Sequence, residues 1–479
     1  MYGAPIAWLG RPVLFAGLEQ VERLDHRAHL VVHGRPPSMA ADELADLAEN
    51  VNLRGRGGAG FPFARKIRAV VKAAARRRTR PVVVVNGTEG EPSCLKDAAL
   101  LLRTPHLVLD GALLAAEALG AEQVVLGVTR ADTEQSLLKA LTERRSTPLP
   151  VSVNRLPERF VSGEGSSLAR GITSGIALPR GGNIRTSDSG VGGVPTLLSN
   201  AETYAQLAVA AGMGALPYRE VGLPTEPGTV LLTLAGKQVV ESPAGVPLAD
   251  MLQMFGMDIG QGVLTGGYHG TWLSPDNARK ALVSRESLRG LGGALGAGAI
   301  LPLPDTTCPL GEVLRVTRWM ADETAGQCGP CYLGLPALAK AVEEVVRGGG
   351  RAALDVVETR MREVTGRGAC SHPDAASRFL ASALEVFDDD LQMHSYQYGG
   401  CGRPVQDVLP MPEMESAGSI VVDWTLCEAH GLCTSVLPEV ISLAPDGFPS
   451  AAVMPVPSQL LQQAARAVDR CPALALRIQ

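Results

Sequence analysis

The sequence has no surplus of basic residues: 44 Lys and Arg stand against 49 Asp and Glu, giving a formal net charge of -5 and a pI near 6.0. Such a chain has no general attraction for a phosphate backbone, so nucleic-acid binding is not expected, whereas docking against a basic protein face is favoured. No run approaches the roughly 18 consecutive apolar residues that a spanning helix needs, and even Pro81 to Val85 is soon broken by Asn86 and Glu89. Any membrane association is expected to be peripheral at most. The first thirty residues lack a basic stretch followed by an apolar run and lack a small-residue cleavage site, which predicts a cytoplasmic location. Repeats and low-complexity tracts are also missing.

What is present is ordinary globular material, 46% hydrophobic and 19% charged, with 54 glycines and 34 prolines that imply many tight turns. At 479 residues the chain exceeds what one core usually organises, and at least three domains are expected. Residues 1 to about 50 read as a lead-in ending in a helix, Ala40 to Glu49. From Asn52 the order is glycine loop, basic helix (Lys66 to Arg78), apolar strand (Pro81 to Val85), polar loop, helices (Asp97 to Leu102 and Leu107 to Leu119) and strand (Gln123 to Val128), the rhythm of an α/β layer fold. Between about 205 and 300 short strands and glycine turns dominate, with Thr229 to Ala235 and Val263 to Thr265 the clearest strands. Residues 312 to 393 carry helical periodicity, as in Gly334 to Val346 and Ser377 to Phe387. The Pro-, Met- and Glu-rich stretch 402 to 417 reads as a linker into a tail of some sixty residues.

Two loops in the α/β region have the chemistry of a ligand site. Arg54-Gly-Arg-Gly-Gly-Ala-Gly-Phe-Pro62 offers Gly55, Gly57, Gly58 and Gly60 ahead of a helix. Backbone amides can approach an anion where no Cβ obstructs them, and a helix N-terminus adds partial positive charge. The loop reads as a phosphate site, with a merely structural turn as the alternative; Lys66 could neutralise the phosphate or simply be solvated. The second loop, Asn86 to Asp97, follows an apolar strand and so lies at its carboxyl end, where open α/β sheets bind ligands. Asn86, Glu89 and Glu91 there suit ribose hydroxyls and ring nitrogens, or the loop is only a capped surface turn. Two further polar turns, Ser162 to Ser166 and Ser199 to Thr203, are weaker candidates.

Nine cysteines in a chain without an export signal are read as metal thiolates rather than disulfides. The tail contains Cys427-Glu-Ala-His-Gly-Leu-Cys433 and, further on, Cys471-Pro472. Bacterial ferredoxins use closely spaced thiolates closed by a remote Cys-Pro. Here His430 stands at the middle ligand position, so three thiolates point to a 3Fe–4S cluster, with His-completed 4Fe–4S and a Cys3His zinc site as alternatives. The helical region has Cys328-Gly-Pro-Cys331 and a distant Cys370, with Ala325 where a first thiolate would stand. That set could hold a three-iron cluster, a four-iron cluster completed by Cys401, Cys308 or His372, or zinc with His372. Cys94 and Cys308 otherwise read as small buried hydrophobes.

From about residue 50 to 395 these pieces resemble the NADH-binding flavoprotein subunit of respiratory complex I and its relatives in soluble hydrogenases and formate dehydrogenases. The resemblance rests on Arg54 to Pro62, Asn86 to Asp97, Gly163-Glu164, Asn200 with Thr203, and Cys328 to Cys331. It implies FMN held by Gly55, Arg56, Gly57, Gly58, Lys66, Asn86, Glu89, Gly163, Glu164, Asn200 and Thr203. It also implies NADH as the hydride donor, with Glu91, Glu164 and Phe61 as positioning residues around the reacting rings. Iron–sulfur clusters would be ligated by Cys328, Cys331 and Cys370, and by Cys427, Cys433 and Cys471. The implied fold is an α/β flavin-binding domain (1–205), a β-grasp module (206–305), a helical iron–sulfur domain (306–400), a linker (401–417) and an α+β ferredoxin tail (418–479).

Thr88 stands in place of the family's Asp, Gly165 in place of a second Glu, and the stretch 182–185 lacks the family's Lys and Phe. The implied activity is NADH oxidation with electrons leaving through FMN and the clusters to a redox protein such as a cytochrome monooxygenase or a membrane reductase. The alternative is an electron-transfer subunit that has lost nucleotide binding and is reduced by another protein.

Overall fold

The computed structural model describes residues 3–182, 184–396, 400–412, 416–438, 440–457 and 460–479. The chain divides into two compact units, Met1–Met411 and Pro412–Gln479.

Strand β1 (Ile6–Trp8) is followed, after three helices, by β2 (Val82–Gly87), β3 (Gln123–Val128), β4 (Val151–Arg155) and β5 (Thr196–Asn200). The last four form an all-parallel sheet in the order β4-β3-β2-β5. β2 reads Val-Val-Val-Val because both of its faces are covered, as parallel strands require. Helices Pro105–Ala118 and Ala201–Met213 are apolar almost all round and buried along nearly their whole length. They pack so closely that a Cβ on Gly111 would collide with the Tyr204 carbonyl. Strand order runs from β2 outwards to β4 and then reverses to place β5 on the other side of β2. The carboxyl ends of β2 and β5 therefore flank the crevice where doubly wound sheets bind ligands.

A second sheet contains β6 (Thr229–Leu234), β7 (Gln238–Pro243), β8 (Gly262–Thr265), β9 (Thr271–Leu273) and β10 (Ala299–Leu303), with β1 added at the edge, in the order β1-β7-β6-β10-β8-β9. The N-terminal segment is thus part of this mixed sheet, not a separate lead-in. Buried Glu241 on β7 holds it there by accepting the amides of Val13, Leu14 and Phe15 and the Thr229 hydroxyl, which satisfies a carboxylate with no cation beside it among the described residues. The sequence boundary at 205/206 falls inside the helix Ala201–Met213, whose periodicity continues unbroken through it.

Five helices then follow: Pro309–Asp322, Leu335–Val346, Gly350–Val364, His372–Val386 and Asp388–Tyr396. A π-helical turn, Pro330–Gly334, carries Cys331 into the second of them. Residues 402–411, read from composition as linker, are a strap bonded to this bundle. The Glu312 carboxylate accepts the amides of Gln406, Val408 and Leu409, and Leu409 is buried. The remainder of that stretch includes residues 413–415, which lie outside the described residues.

The C-terminal unit has β11 (Ser416–Val422), β12 (Val453–Pro457) and β13 (Leu476–Ile478) in the antiparallel order β12-β11-β13, with helix Leu461–Asp469 supplying Ala464 and Ala467 to its core. In the whole molecule no single described helix is long and apolar enough to cross a membrane.

Substituting Gly111 by Ala should lower stability by about 1–3 kcal/mol through overpacking against Tyr204. Calorimetry of the two proteins checks this; an unchanged melting temperature would show that these helices can separate without cost.

Candidate functional site

In the register of the parallel sheet Asn86 and Asn200 are direct cross-strand partners at the carboxyl ends of β2 and β5. Asn200 caps the helix Ala201–Met213 by accepting the Glu202 amide, and its Nδ2 donates to Asp97 and to the Asn86 carbonyl. Asn86 donates to the Gly163 carbonyl at 2.9 Å and accepts from the Thr88 amide and hydroxyl. Thr88 therefore closes the turn after β2 locally. Glu89 caps the helix Lys96–Arg103 through the amides of Asp97 and Ala98 at 2.9 Å. Burial, reinforced by the Asp97 charge, raises its pKa to about 7.

The glycine loop closes as a hairpin: Gly55 donates to the Phe61 carbonyl and Phe63 to the Leu53 carbonyl. Thr203 holds it by accepting the Arg56 amide at 3.0 Å. Arg56 itself is turned inward, with its guanidinium 3.8 Å from Glu202 and donating to the Thr229 carbonyl, so its charge is already balanced. Gly58 has φ +111° and open space where a Cβ would stand, which leaves the backbone there accessible. Lys66, a turn into the following helix, donates to the Leu198 carbonyl at 2.7 Å. Burial brings its pKa down to about 8, and no carboxylate among the described residues pairs with it. A buried ammonium beside an open glycine loop is a setting that an anion would complete.

Arg285 was not signalled by any motif because it arrives from a region some 230 residues away. It donates to the Gly55 carbonyl, and burial, then the Arg56 charge, lowers its pKa to about 9. Arg285 is paired with Glu226 at 3.7 Å, so two cations converge on the loop and Lys66 is the one with no described carboxylate beside it.

Phe61 is 43% exposed on this loop. Glu91 is not exposed: its carboxylate accepts from the Ser93 hydroxyl and from the Tyr268 amide at 2.6 Å, in the turn between β8 and β9, and burial raises its pKa to about 7. Glu164 caps the helix Gly165–Ser174 through the amides of Ser166 and Ser167 and the Ser166 hydroxyl. Of the stretch 182–185, Asn183 lies outside the described residues; Ile184 is exposed.

The loop that ends at Gly163-Glu164 is bonded to the loop that carries the helical cysteines. Arg159 donates to the Thr324 carbonyl at 2.7 Å, and the Phe160 amide donates to Glu323 at 2.8 Å. Glu164 lies close enough to Cys370 to raise its thiol pKa, secondary to burial. Cys331 is buried and Cys328 and Cys370 are partly so. Burial works against ionisation of Cys328, but the Ala369 and Cys331 amides outweigh it and hold this thiol below its ordinary range. Burial, then the neighbouring Cys328 charge, pushes Cys331 up to about 12, while the Ala325 amide donates to its sulfur. Three thiols that receive backbone N–H donors fit an iron–sulfur cluster, whose sulfurs need such donors.

The candidates for a fourth ligand are engaged elsewhere. His372 Nε2 faces the Met320 carbonyl at 2.8 Å and so donates, leaving Nδ1 to accept from His269 at 2.9 Å. Cys308 and Cys401 gather around His394 instead.

In the C-terminal unit Cys427, Cys433 and Cys471 line one cavity together with Ala429, His430 and Gly431. Ala429 and Gly431 have positive φ, which wraps the loop round the cavity. The Ala475 amide donates to the Cys471 sulfur at 3.4 Å. His430 is partly exposed and 3.6 Å from Glu428.

Because the pKa of Glu91 is raised from 4.5 to about 7, its burial favours the neutral acid. This contribution is complete below pH 4.5 and is lost as pH rises through 7. Glu91→Gln should therefore gain stability relative to the parent between those limits, by up to about 3 kcal/mol. Melting temperatures of both proteins from pH 4.5 to 8 check this; parallel curves would exclude it.

Residues 48–209 match the Nuo51 FMN-binding domain, 312–394 the NADH-ubiquinone oxidoreductase-F iron–sulfur binding region, and 420–478 the 4Fe-4S single cluster domain. An NADH-quinone oxidoreductase subunit of Rhizobium meliloti is 27% identical over 380 residues, covering 74% of this chain and 89% of the relative. NADP-reducing hydrogenase subunit HndC of Solidesulfovibrio fructosivorans is 26% identical, covering 84% of each chain. A crystal structure of an NAD+-reducing [NiFe]-hydrogenase in the air-oxidized state superposes with a TM-score of 0.70 at 25% identity, covering 82% of this chain and 68% of that one. The open glycine loop with Lys66 fits the FMN phosphate, and each thiol triad fits a cluster. The three matches, in this order along the chain, give this protein a Nuo51-type FMN-binding domain, an iron–sulfur region of the NADH-ubiquinone oxidoreductase-F type and a 4Fe-4S single cluster domain, in a chain similar to NADH-quinone oxidoreductase and hydrogenase subunits.

Proposed function

We propose that the protein oxidises NADH and passes the electrons through FMN and the helical-domain cluster to the ferredoxin domain, and from there to a redox protein. The observation that carries this reading is the direct bonding of the Pro157–Glu164 loop to the Cys328 loop through Arg159 and Phe160. That contact supports a flavin site beside a cluster site within one compact unit. FMN, when bound, accepts a hydride and releases electrons singly.

The residues of this chain do the holding. Gly55, Gly57 and Gly58 present backbone, and Lys66 and Arg285 supply positive charge to the phosphate. Asn86, Glu89, Gly163, Asn200 and Thr203 fix the loops around the ring system, the first and fourth by their paired positions on adjacent strands. Phe61, exposed on the glycine loop, offers an aromatic face to the nucleotide, and Glu164 presents a carboxylate between the flavin loop and Cys370. We assign Cys328, Cys331 and Cys370 to one cluster and Cys427, Cys433 and Cys471 to the other. With three thiolates in the tail a 3Fe–4S cluster is the simplest product. We further divide the first unit into an α/β flavin domain, a β-grasp module that includes β1, and the helical cluster domain.

A second reading, a carrier reduced by another protein, is favoured by one specific observation: the Glu91 carboxylate is committed to Tyr268 and Ser93 instead of standing open towards a nucleotide.

Anaerobic titration with NADH, followed by visible absorbance and electron paramagnetic resonance, separates the two. Bleaching of the flavin band with reduced-cluster signals is the expected result; a flavin and clusters reduced only by dithionite would establish the carrier. An oxidised three-iron cluster is paramagnetic whereas an oxidised four-iron cluster is not, so the untreated tail should give a signal that Cys471→Ser removes. Glu164→Gln should slow flavin reduction by NADH, and an equal rate would take Glu164 out of that role. Lys66→Met should weaken FMN retention by about 10- to 100-fold, the worth of one charged hydrogen bond. Equilibrium dialysis measures this, and full retention would place the phosphate elsewhere.

A further inference from the structure

Cys308, His394 and Cys401 come from three separate segments, yet their ligand atoms all lie within 4.8 Å of one another, with Cys308 and His394 buried and Cys401 partly so. Cys308 is the N-cap of the helix Pro309–Asp322, His394 lies on Asp388–Tyr396, and Cys401 begins the strap that closes over the bundle. The spacing is close to what a single ion requires, since ligand atoms about 2.0–2.3 Å from one tetrahedral centre are mutually under about 4 Å apart and these need to draw in by less than about 1 Å.

The surroundings already orient the ligands. His394 Nδ1 meets the Val346 carbonyl at 2.9 Å, and because a carbonyl can only accept, the proton sits on Nδ1; Nε2 then faces the Cys308 sulfur at 3.3 Å and accepts a long 3.4 Å bond from the Cys401 amide, which a bound ion would replace. The Gly311 amide donates to the Cys308 sulfur at 3.3 Å, and the Arg403 guanidinium, itself paired with Asp390, hydrogen-bonds the Cys401 sulfur. Two thiolates with one divalent cation are neutral overall, which suits a buried place better than any ionised thiol alone.

The group is separate from the helical cluster. Val346 ends the 12-residue helix whose start adjoins Cys331, so the two sets of thiols are about 18 Å apart along that helix.

We propose that Cys308, His394 and Cys401 bind one zinc ion, with the fourth position left to water. Soft thiolates with one imidazole in this geometry select zinc over harder divalent ions. Binding forms two Zn–S bonds and one Zn–N bond and releases the two thiol protons to solvent; no electron is transferred. The ion pins the strap 400–411 to the first helix of the bundle, beside Glu312 and Tyr268, whose hydroxyl donates to the Pro410 carbonyl. This inference does not depend on the NADH reading.

The test is metal analysis of the full-length protein grown with added zinc and purified without chelator. One zinc per chain is expected in addition to cluster iron. X-ray absorption at the zinc edge should give two sulfurs at about 2.3 Å and one nitrogen at about 2.0–2.1 Å. Cys401→Ser and His394→Gln should each lower zinc content at least tenfold while iron and FMN stay as in the parent. Should both variants misfold, removing zinc from the parent by anaerobic dialysis against a divalent-cation chelator, with cluster iron measured alongside, and restoring it with zinc chloride gives the same readout. Zinc below one tenth per chain in protein with full iron, a Cys308–Cys401 disulfide found by peptide mapping, or a coordination shell of three sulfurs would each overturn the proposal.

Discussion

A single buried ammonium organises the α/β unit. Lys96 is 2% exposed, and its Nζ contacts Asp97 at 2.8 Å, the Asn200 side-chain oxygen at 2.9 Å and Glu202 at 3.1 Å. Burial opposes its charge, but Asp97 and Glu202 outweigh that and hold its pKa above the ordinary lysine range. Glu202 is shared in turn with Arg56 of the glycine loop and with the Leu231 amide on β6. The loop after β2, the helix after β5, the glycine loop and the second sheet are thus tied to one group of charges. Buried ions of this kind add little net stability compared with apolar packing, but the absence of one partner leaves the others uncompensated, so they specify one arrangement of the loops.

That specification matters because the candidate site is built from loops that share no sequence neighbourhood. The Asn86 turn, the Gly163 turn and Asn200 are joined by direct hydrogen bonds, and the Gly163 loop is joined to the cysteine loop through Arg159 and Phe160. Around this junction the rings of Phe160, His269, Trp319 and His372 pack edge to face or tilted, with centroids 4.5 to 5.5 Å apart. Burial lowers the pKa of both histidines and so favours their neutral forms at this junction.

Both thiol triads depart from a four-cysteine pattern in a way the fold accommodates. Ala325 keeps its backbone place beside Cys331, donating an amide to sulfur where a fourth thiolate would have contributed a bond. His430 remains on the wall of the tail cavity but is partly exposed and close to Glu428. The residues that could have completed the helical set are occupied: His372 between Met320 and His269, and Cys308 and Cys401 with His394.

Local pattern alone determined much of this. The valine run of β2, the apolar helix from Pro105 and the amphipathic helix into Val346 follow from periodicity, and the Cys and Gly spacings identified the chemistry before any contact was known. The glycine loop, Asn86, Asn200 and Thr203 were legible because their residue types are constrained by short-range backbone geometry. What the tertiary structure decided is which distant groups meet. Glu91 turns to the Tyr268 amide, Arg285 comes to the glycine loop across 230 positions, β1 completes a sheet begun at Thr229, and composition mistook a packed strap for a linker. The physical reason is common to all four: a side chain's partner is set by burial and hydrogen-bond satisfaction across the fold, and no local periodicity encodes it.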